Sequence, residues 1–95
     1  MRIKAKVGNI EDWFVIDTSF SGEMLVNYEI FDKIQFPTFD AGLVCITANE
    51  CYRASGKLSA VRILNNEINV IVLWIPQLNE NLIGGKSLNK TWFGD

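Results

Sequence analysis

The sequence predicts an all-β protein, a small barrel of short strands with one or two short helices, folded as a single domain over residues 1–95. Three observations lead there. Apolar and polar residues alternate in several segments with the two-residue period of a half-buried strand. Turn signals such as Gly8-Asn9 and Asn65-Asn66 interrupt the chain at short intervals. Hydrophobic residues make up 48% of the chain and include three Trp, ample for one core in so short a protein. The surplus suits an interface between copies as well as it suits a densely filled core.

The elements follow in order. Ile3, Ala5 and Val7 alternate with Arg2, Lys4 and Lys6, which predicts a first strand with one wet face. The run Trp13-Phe14-Val15-Ile16 reads as a strand buried on both sides, ending at Asp17-Thr18-Ser19. Residues 23–26 form another strand. Asn27 is placed to cap a short helix over residues 28–34, with Ile30 and Ile34 on one face and Phe36-Pro37 ending it. Residues 43–47 and 51–54 flank Ala48-Asn49-Glu50, the expected tip of a hairpin. Residues 58–64 and 67–74 flank Asn65-Asn66, a tight turn, because Asn tolerates positive φ. Both faces of the second of these strands are apolar after Asn69, so it is expected to be buried on both sides. Residues 76–81 form a loop. Leu82-Ile83 is followed by the Gly84-Gly85 turn and one helical turn over residues 86–90, and Trp92-Phe93 is expected in a terminal strand.

Composition removes several kinds of chemistry. There is no histidine, which excludes Ser-His and Cys-His catalysis and most zinc sites. Cys45 and Cys51 are too few for a metal cluster. Their default reading is two buried thiols, and a disulfide requires that they face each other across a hairpin. The net charge is −2, and residues 1–47 carry four Lys/Arg against seven Asp/Glu while residues 48–95 carry five against four. Neither half is a basic stripe, so no nucleic-acid partner is expected. No apolar run is long enough to span a bilayer, and the first six residues lack the apolar core of a signal peptide. A cytoplasmic protein without a membrane partner is the expectation.

Asp17 is the first candidate for chemistry. Taken alone, an Asp at the end of an apolar strand before small polar residues is a turn-former. The stretch Phe14-Val15-Ile16-Asp17-Thr18-Ser19-Phe20-Ser21-Gly22-Glu23-Met24-Leu25 resembles more than a turn. It is similar to the active-site segment of retropepsin-like aspartic proteases, and its Asp-Thr-x-Phe-Ser-Gly pattern resembles the prokaryotic members. A second landmark agrees. Two aliphatic residues and a Gly open a short helix near the C-terminus of that family, and Asn81-Leu82-Ile83-Gly84-Gly85-Lys86-Ser87-Leu88 looks like it.

The resemblance implies a closed barrel of the acid-protease type, active as a two-fold homodimer on peptide or protein substrates, with no metal and no cofactor. Two carboxylates must share a proton across the scissile bond, one taking a proton from water while the other donates to the carbonyl. One Asp-Thr motif is present, so the second carboxylate must be Asp17 of another copy, brought to the axis by an isologous interface. By the same resemblance, Thr18 would hold the two loops together across the dimer. Leu82, Ile83 and Gly84 would pack behind the catalytic loop. Ala48, Asn49 and Glu50 would form the flap that covers the peptide, although this tip has no Gly. Residues 2–6 and 91–93 would interleave with the partner. Ser19 departs from the family's Gly at its position. That departure supports a second reading, a catalytically silent dimer that binds peptides.

Overall fold

The computed structural model describes residues 1–93, with side chains through Thr91. Seven strands and two helices follow one another as β1 (Arg2–Val7), β2 (Ile10–Ile16), β3 (Met24–Leu25), α1 (Tyr28–Lys33), β4 (Phe39–Thr47), β5 (Glu50–Ile63), β6 (Asn66–Trp74), β7 (Leu82–Ile83) and α2 (Gly85–Phe93). The sheet runs in the order β1-β2-β7-β3-β6-β5-β4, and β1 also pairs with β5. That last pairing closes β1, β2, β7, β3, β6 and β5 into a barrel, leaving β4 outside it on the edge of β5. The expected all-β barrel with two short helices is therefore the observed one.

Strand β5 makes this possible by pairing with three strands, β4, β6 and β1. Its first half pairs with β4, and its second half pairs with β6 from Ser55↔Trp74 to Ile63↔Asn66. At its end, Val61 and Ile63 also face Val7 and Ala5 of β1. These four side chains are buried in the barrel interior with Phe14, Met24, Val70, Val72 and Ile83. A second cluster, of Phe20, Leu25, Val44, Ala54, Leu73, Ile75 and Leu82, lies beneath the loop that follows β2.

Asn27 caps α1 as expected, accepting from the Ile30 N–H through its side chain at 3.0 Å. Ile30 and Ile34 both pack on the barrel core. The other end of α1 is closed by Lys57, a buried side chain of β5. Its Nζ donates to the carbonyls of Phe31 and Ile34 at 2.8 and 2.9 Å and sits 4.5 Å from the Phe31 ring centroid. An ammonium is well suited here, because the last carbonyls of a helix lack intrahelical partners and carry partial negative charge.

Several expectations need correction. Strand β2 is not buried on both faces: Trp13 is 48% exposed and Val15 40%, whereas Phe14 is 1%. Arg2 and Lys4 of β1 lie over the outward Trp13 ring, covering what an inner layer would otherwise cover. Ile71 of β6 likewise faces outward. The C-terminal helix runs through Thr91–Phe93 rather than stopping before a strand, so those residues do not form the terminal strand expected of them. Cys45 and Cys51 are joined in a disulfide across the β4–β5 hairpin and are not free thiols. The β5–β6 turn is Leu64-Asn65, one residue earlier than expected, with φ of 51° and 68°. Register decides this. Ile63 is buried in the barrel and pairs with Asn66, so the two turn residues must lie between them.

A leucine in left-handed backbone costs about 1–2 kcal/mol, and Leu64 is 44% exposed, so it recovers little by packing. Leu64→Asn is expected to raise stability by about 1 kcal/mol, since Asn accepts this conformation. A urea-unfolding midpoint that stays put or falls would contradict it.

Candidate active site

Asp17 follows the last residue of β2, where the strand's partner is only two residues long. Its N–H donates to the Ile83 carbonyl at 2.9 Å, and its own carbonyl accepts from the Phe20 N–H at 3.2 Å, closing a tight turn. Thr18 and Ser19 form the exposed centre of that turn. Phe20 is 3% exposed and anchors its far side in the second cluster. An apolar plug after three polar residues thus holds the carboxyl in place at the surface. The Asp17 side chain closes back on the turn: Oδ1 accepts from the Ser19 N–H at 3.0 Å and lies 2.6 Å from Ser19 Oγ.

The floor behind this loop is β7. Leu82 and Ile83 pair in parallel with Val15 and Ile16 on one side and antiparallel with Leu25 and Met24 on the other. A strand of two residues can hold this central place because both side chains are buried, one in each cluster. Gly84 comes next. A Cβ there would run into the Gly22 carbonyl oxygen and the Phe20 ring, so the loop and the start of α2 approach as only glycine permits. The Gly84 N–H and the Ser87 hydroxyl both donate to the Glu23 carbonyl. Leu82, Ile83 and Gly84 thus lie directly behind Asp17.

The β4–β5 hairpin bears on the loop from the other side. Ser21 donates its N–H to the Cys45 carbonyl at 2.9 Å, and its Oγ accepts from the Cys45 N–H at 3.0 Å. Ser19 Oγ lies 2.8 Å from the Ile46 carbonyl oxygen. Between Cys45↔Cys51 and Thr47↔Glu50 the register slips, leaving Ile46 as the extra residue of a bulge. Bulges re-aim backbone groups, and this one turns a carbonyl toward Ser19. The tip itself is Ala48-Asn49, with Glu50 already in β5. All three are exposed and lie beyond the disulfide, where Thr47 Oγ1 donates to Glu50 Oε1 at 3.4 Å. At the base of the hairpin, Asp40 accepts from the Gly42 N–H at 2.9 Å and from Arg53 at 2.6 Å. The Gly42 hydrogen bond first, and then Arg53, hold its carboxyl below the usual carboxylate range.

Sequence reasoning missed three residues that organise the site. Ser21 joins loop to hairpin. Glu23 accepts from the Ile71 N–H through Oε1 at 2.8 Å and pairs with Lys90 through Oε2, tying the loop to β6 and α2. Asn81 accepts from the Asn27 N–H and donates to Asp12 and to the Trp13 carbonyl, cross-linking three segments ahead of β7. All three lie within the segments 14–25 and 81–88 that carry the resemblance, but their partners are far away in sequence.

A groove of about 430 Å³ opens beside the loop, lined by Gly22, Phe39, Val44, Ile71 and Leu73 with Glu23 at its wall. The larger hollow, about 630 Å³, lies between the β1–β2 turn and the end of α1, and none of its lining residues belongs to the Asp17 loop. Neither hollow is lined by Asp17, Thr18 or Ser19, and the groove meets the loop only at its far end, through Gly22 and Glu23.

No protein-family model matches the sequence, and no curated protein matches it. Solved structures do. EIAV protease complexed with the inhibitor HBY-793 superposes with a TM-score of 0.76 over 100% of this chain and 89% of that one, at 5% identity. The solution structure of Simian Foamy Virus (mac) protease gives a TM-score of 0.66 over 96% of this chain and 94% of that one, at 11% identity. At such identities the likeness is one of fold. The barrel and its two short helices match the fold of these retroviral proteases.

Proposed function

We propose that this chain is one half of an aspartic endopeptidase, completed by a second copy that contributes its own Asp17. The observation that carries the reading is Asp17 itself. It stands at the surface on a turn braced by β7 and Phe20, in a fold shared with two retroviral proteases. In a two-fold dimer the paired carboxyls share one proton. The ionised one takes a proton from water as that water attacks the peptide carbonyl, and the protonated one donates to the carbonyl oxygen. A tetrahedral diol forms, and its collapse with protonation of the amine nitrogen breaks the C–N bond. No covalent intermediate or cofactor is needed. Thr18 is the residue for bracing the two loops across the axis, and the Ala48-Asn49-Glu50 tip is the cover over bound peptide. An extended peptide is held chiefly through its main chain, with the apolar groove by Ile71 and Leu73 taking a side chain. The prokaryotic kinship suggested by Asp-Thr-x-Phe-Ser-Gly belongs to the same proposal.

The test is the order of the reaction in protein. Cleavage of an unstructured peptide substrate should rise with the square of chain concentration below the dimer dissociation constant, and a statine-type inhibitor should stop it. A rate per chain independent of concentration in a preparation that sediments as a monomer would defeat the proposal. A second reading, a silent peptide-binding dimer, rests on Ser19 standing where the resemblance expects glycine. Peptide binding by a dimer without cleavage is its signature. In the cytoplasmic setting proposed for the chain, thiol reductants work against the Cys45–Cys51 bond. The hairpin then keeps its place through Ser19, Ser21 and backbone pairing alone.

A further inference from the structure

We infer that Ser19 is a positioning residue for Asp17 that stays bonded to it in both of its protonation states and passes the bond on to the β4–β5 hairpin. The inference rests on the protease reading and adds a residue to it. Ser19 Oγ lies 2.6 Å from Asp17 Oδ1 and 2.8 Å from the Ile46 carbonyl oxygen. A hydroxyl carries one proton and accepts others on its lone pairs. The Ile46 carbonyl can only accept. The Asp17 carboxyl accepts when ionised and donates when protonated.

Two arrangements follow from the same atomic positions. With Asp17 ionised, the Ser19 proton points to Oδ1, and the charge-assisted bond is the stronger of the two on offer. With Asp17 protonated, the carboxyl donates to Oγ, and Oγ donates its own proton to Ile46. The carboxyl therefore keeps its partner while its proton comes and goes, as a group alternating between base and acid requires. The hairpin gains a full hydrogen bond only in the protonated state. The glycine otherwise found at this position can hold the carboxylate by its N–H but has no hydroxyl to follow the proton. Ser19 supplies both, since its N–H also reaches Oδ1 at 3.0 Å. The Ile46 bulge supports the assignment independently, because it brings to Ser19 a carbonyl that a regular ladder would direct along β5.

Steady-state cleavage by the full chain and its Ser19→Ala, Ser19→Thr and Ser21→Ala variants tests this, after each is shown to be folded by circular dichroism. Ser19→Ala should lose roughly tenfold to a hundredfold in kcat with KM little changed, as for a lost hydrogen bond to a charged group. Ser19→Thr, which keeps the hydroxyl, should recover most of that loss. Ser21→Ala frees the same hairpin at Cys45 without touching Asp17, so its effect should fall on KM. If Ser19→Ala leaves kcat as it was, or only copies the KM change of Ser21→Ala, Ser19 does not position the carboxyl. If Ser19→Thr is as slow as Ser19→Ala in a folded protein, the hydroxyl is not the agent. A wild-type chain no faster than Asp17→Asn overturns the protease reading itself, and the role of Ser19 falls with it.

Discussion

Asp17→Asn is expected to lower kcat by about 10²–10⁴-fold, the usual contribution of general acid–base catalysis, while leaving the fold intact. Asn has the same shape and can still accept from the Ser19 N–H, which reaches Oδ1 at 3.0 Å. What it lacks is the ability to take or give a proton. The variant offers a sharper result when mixed with wild type. If each site needs two Asp17 carboxyls, a mixed dimer is dead. Equal amounts, allowed to exchange subunits at random, should then show roughly a quarter of the cleavage expected for the same total of wild-type chain. A mixture at roughly half that rate would mean that each copy works alone, whatever its state of association.

Gly84→Ala is expected to destabilise the fold by about 3 kcal/mol or more, at the upper end of overpacking costs. The added methyl meets the Gly22 carbonyl oxygen and the Phe20 ring. The first is backbone, fixed between Phe20 in its cluster and Glu23, whose carbonyl is held by Gly84 and Ser87. Neither neighbour has a free direction in which to retreat. Gly85 is the matched control, since nothing lies within 4 Å of the place its methyl would take. Gly85→Ala, at the first residue of α2, should be neutral or mildly stabilising because Ala is the better helix former. Urea unfolding of the two variants side by side is the measurement. Equal midpoints would show that the close approach of Gly84 to Gly22 is not what holds α2 against the loop.

The sequence carried the local features well and the long-range ones poorly. Strand β1 was legible because Ile3, Ala5 and Val7 share one face of one strand. The start of α1 was legible because Asn27 caps it with its own side chain. Asp17 and the floor at Leu82, Ile83 and Gly84 stood out through a family resemblance in two short segments, whereas the barrel was already legible in the alternating strands and the turn signals. The Leu64-Asn65 turn was missed because local preference favours Asn-Asn, whereas the buried Ile63 sets the register. Trp13 read as core because its hydrophobicity says nothing about the two cations that cover it from β1. The bonds of Ser19 and Ser21 to the hairpin join residues 27 and 24 positions apart. Such pairs depend on the whole barrel being closed, and no window of sequence contains both partners. The disulfide stayed open for a related reason. Cys45 and Cys51 meet only if the tip turns at Ala48-Asn49 and Ile46 bulges.

The placing of β7 has a consequence for the life of the chain before it is folded. The Asp17 N–H is held by the Ile83 carbonyl, and Val15 and Ile16 take their partners from Leu82 and Ile83. A nascent chain that has reached residue 81 therefore already contains the acid, its turn and the whole β4–β5 hairpin, but not the strand that fixes the loop. Contacts between segments so far apart in sequence are slow to form. The Asp17 turn is therefore fixed only once residues 82–87 have docked.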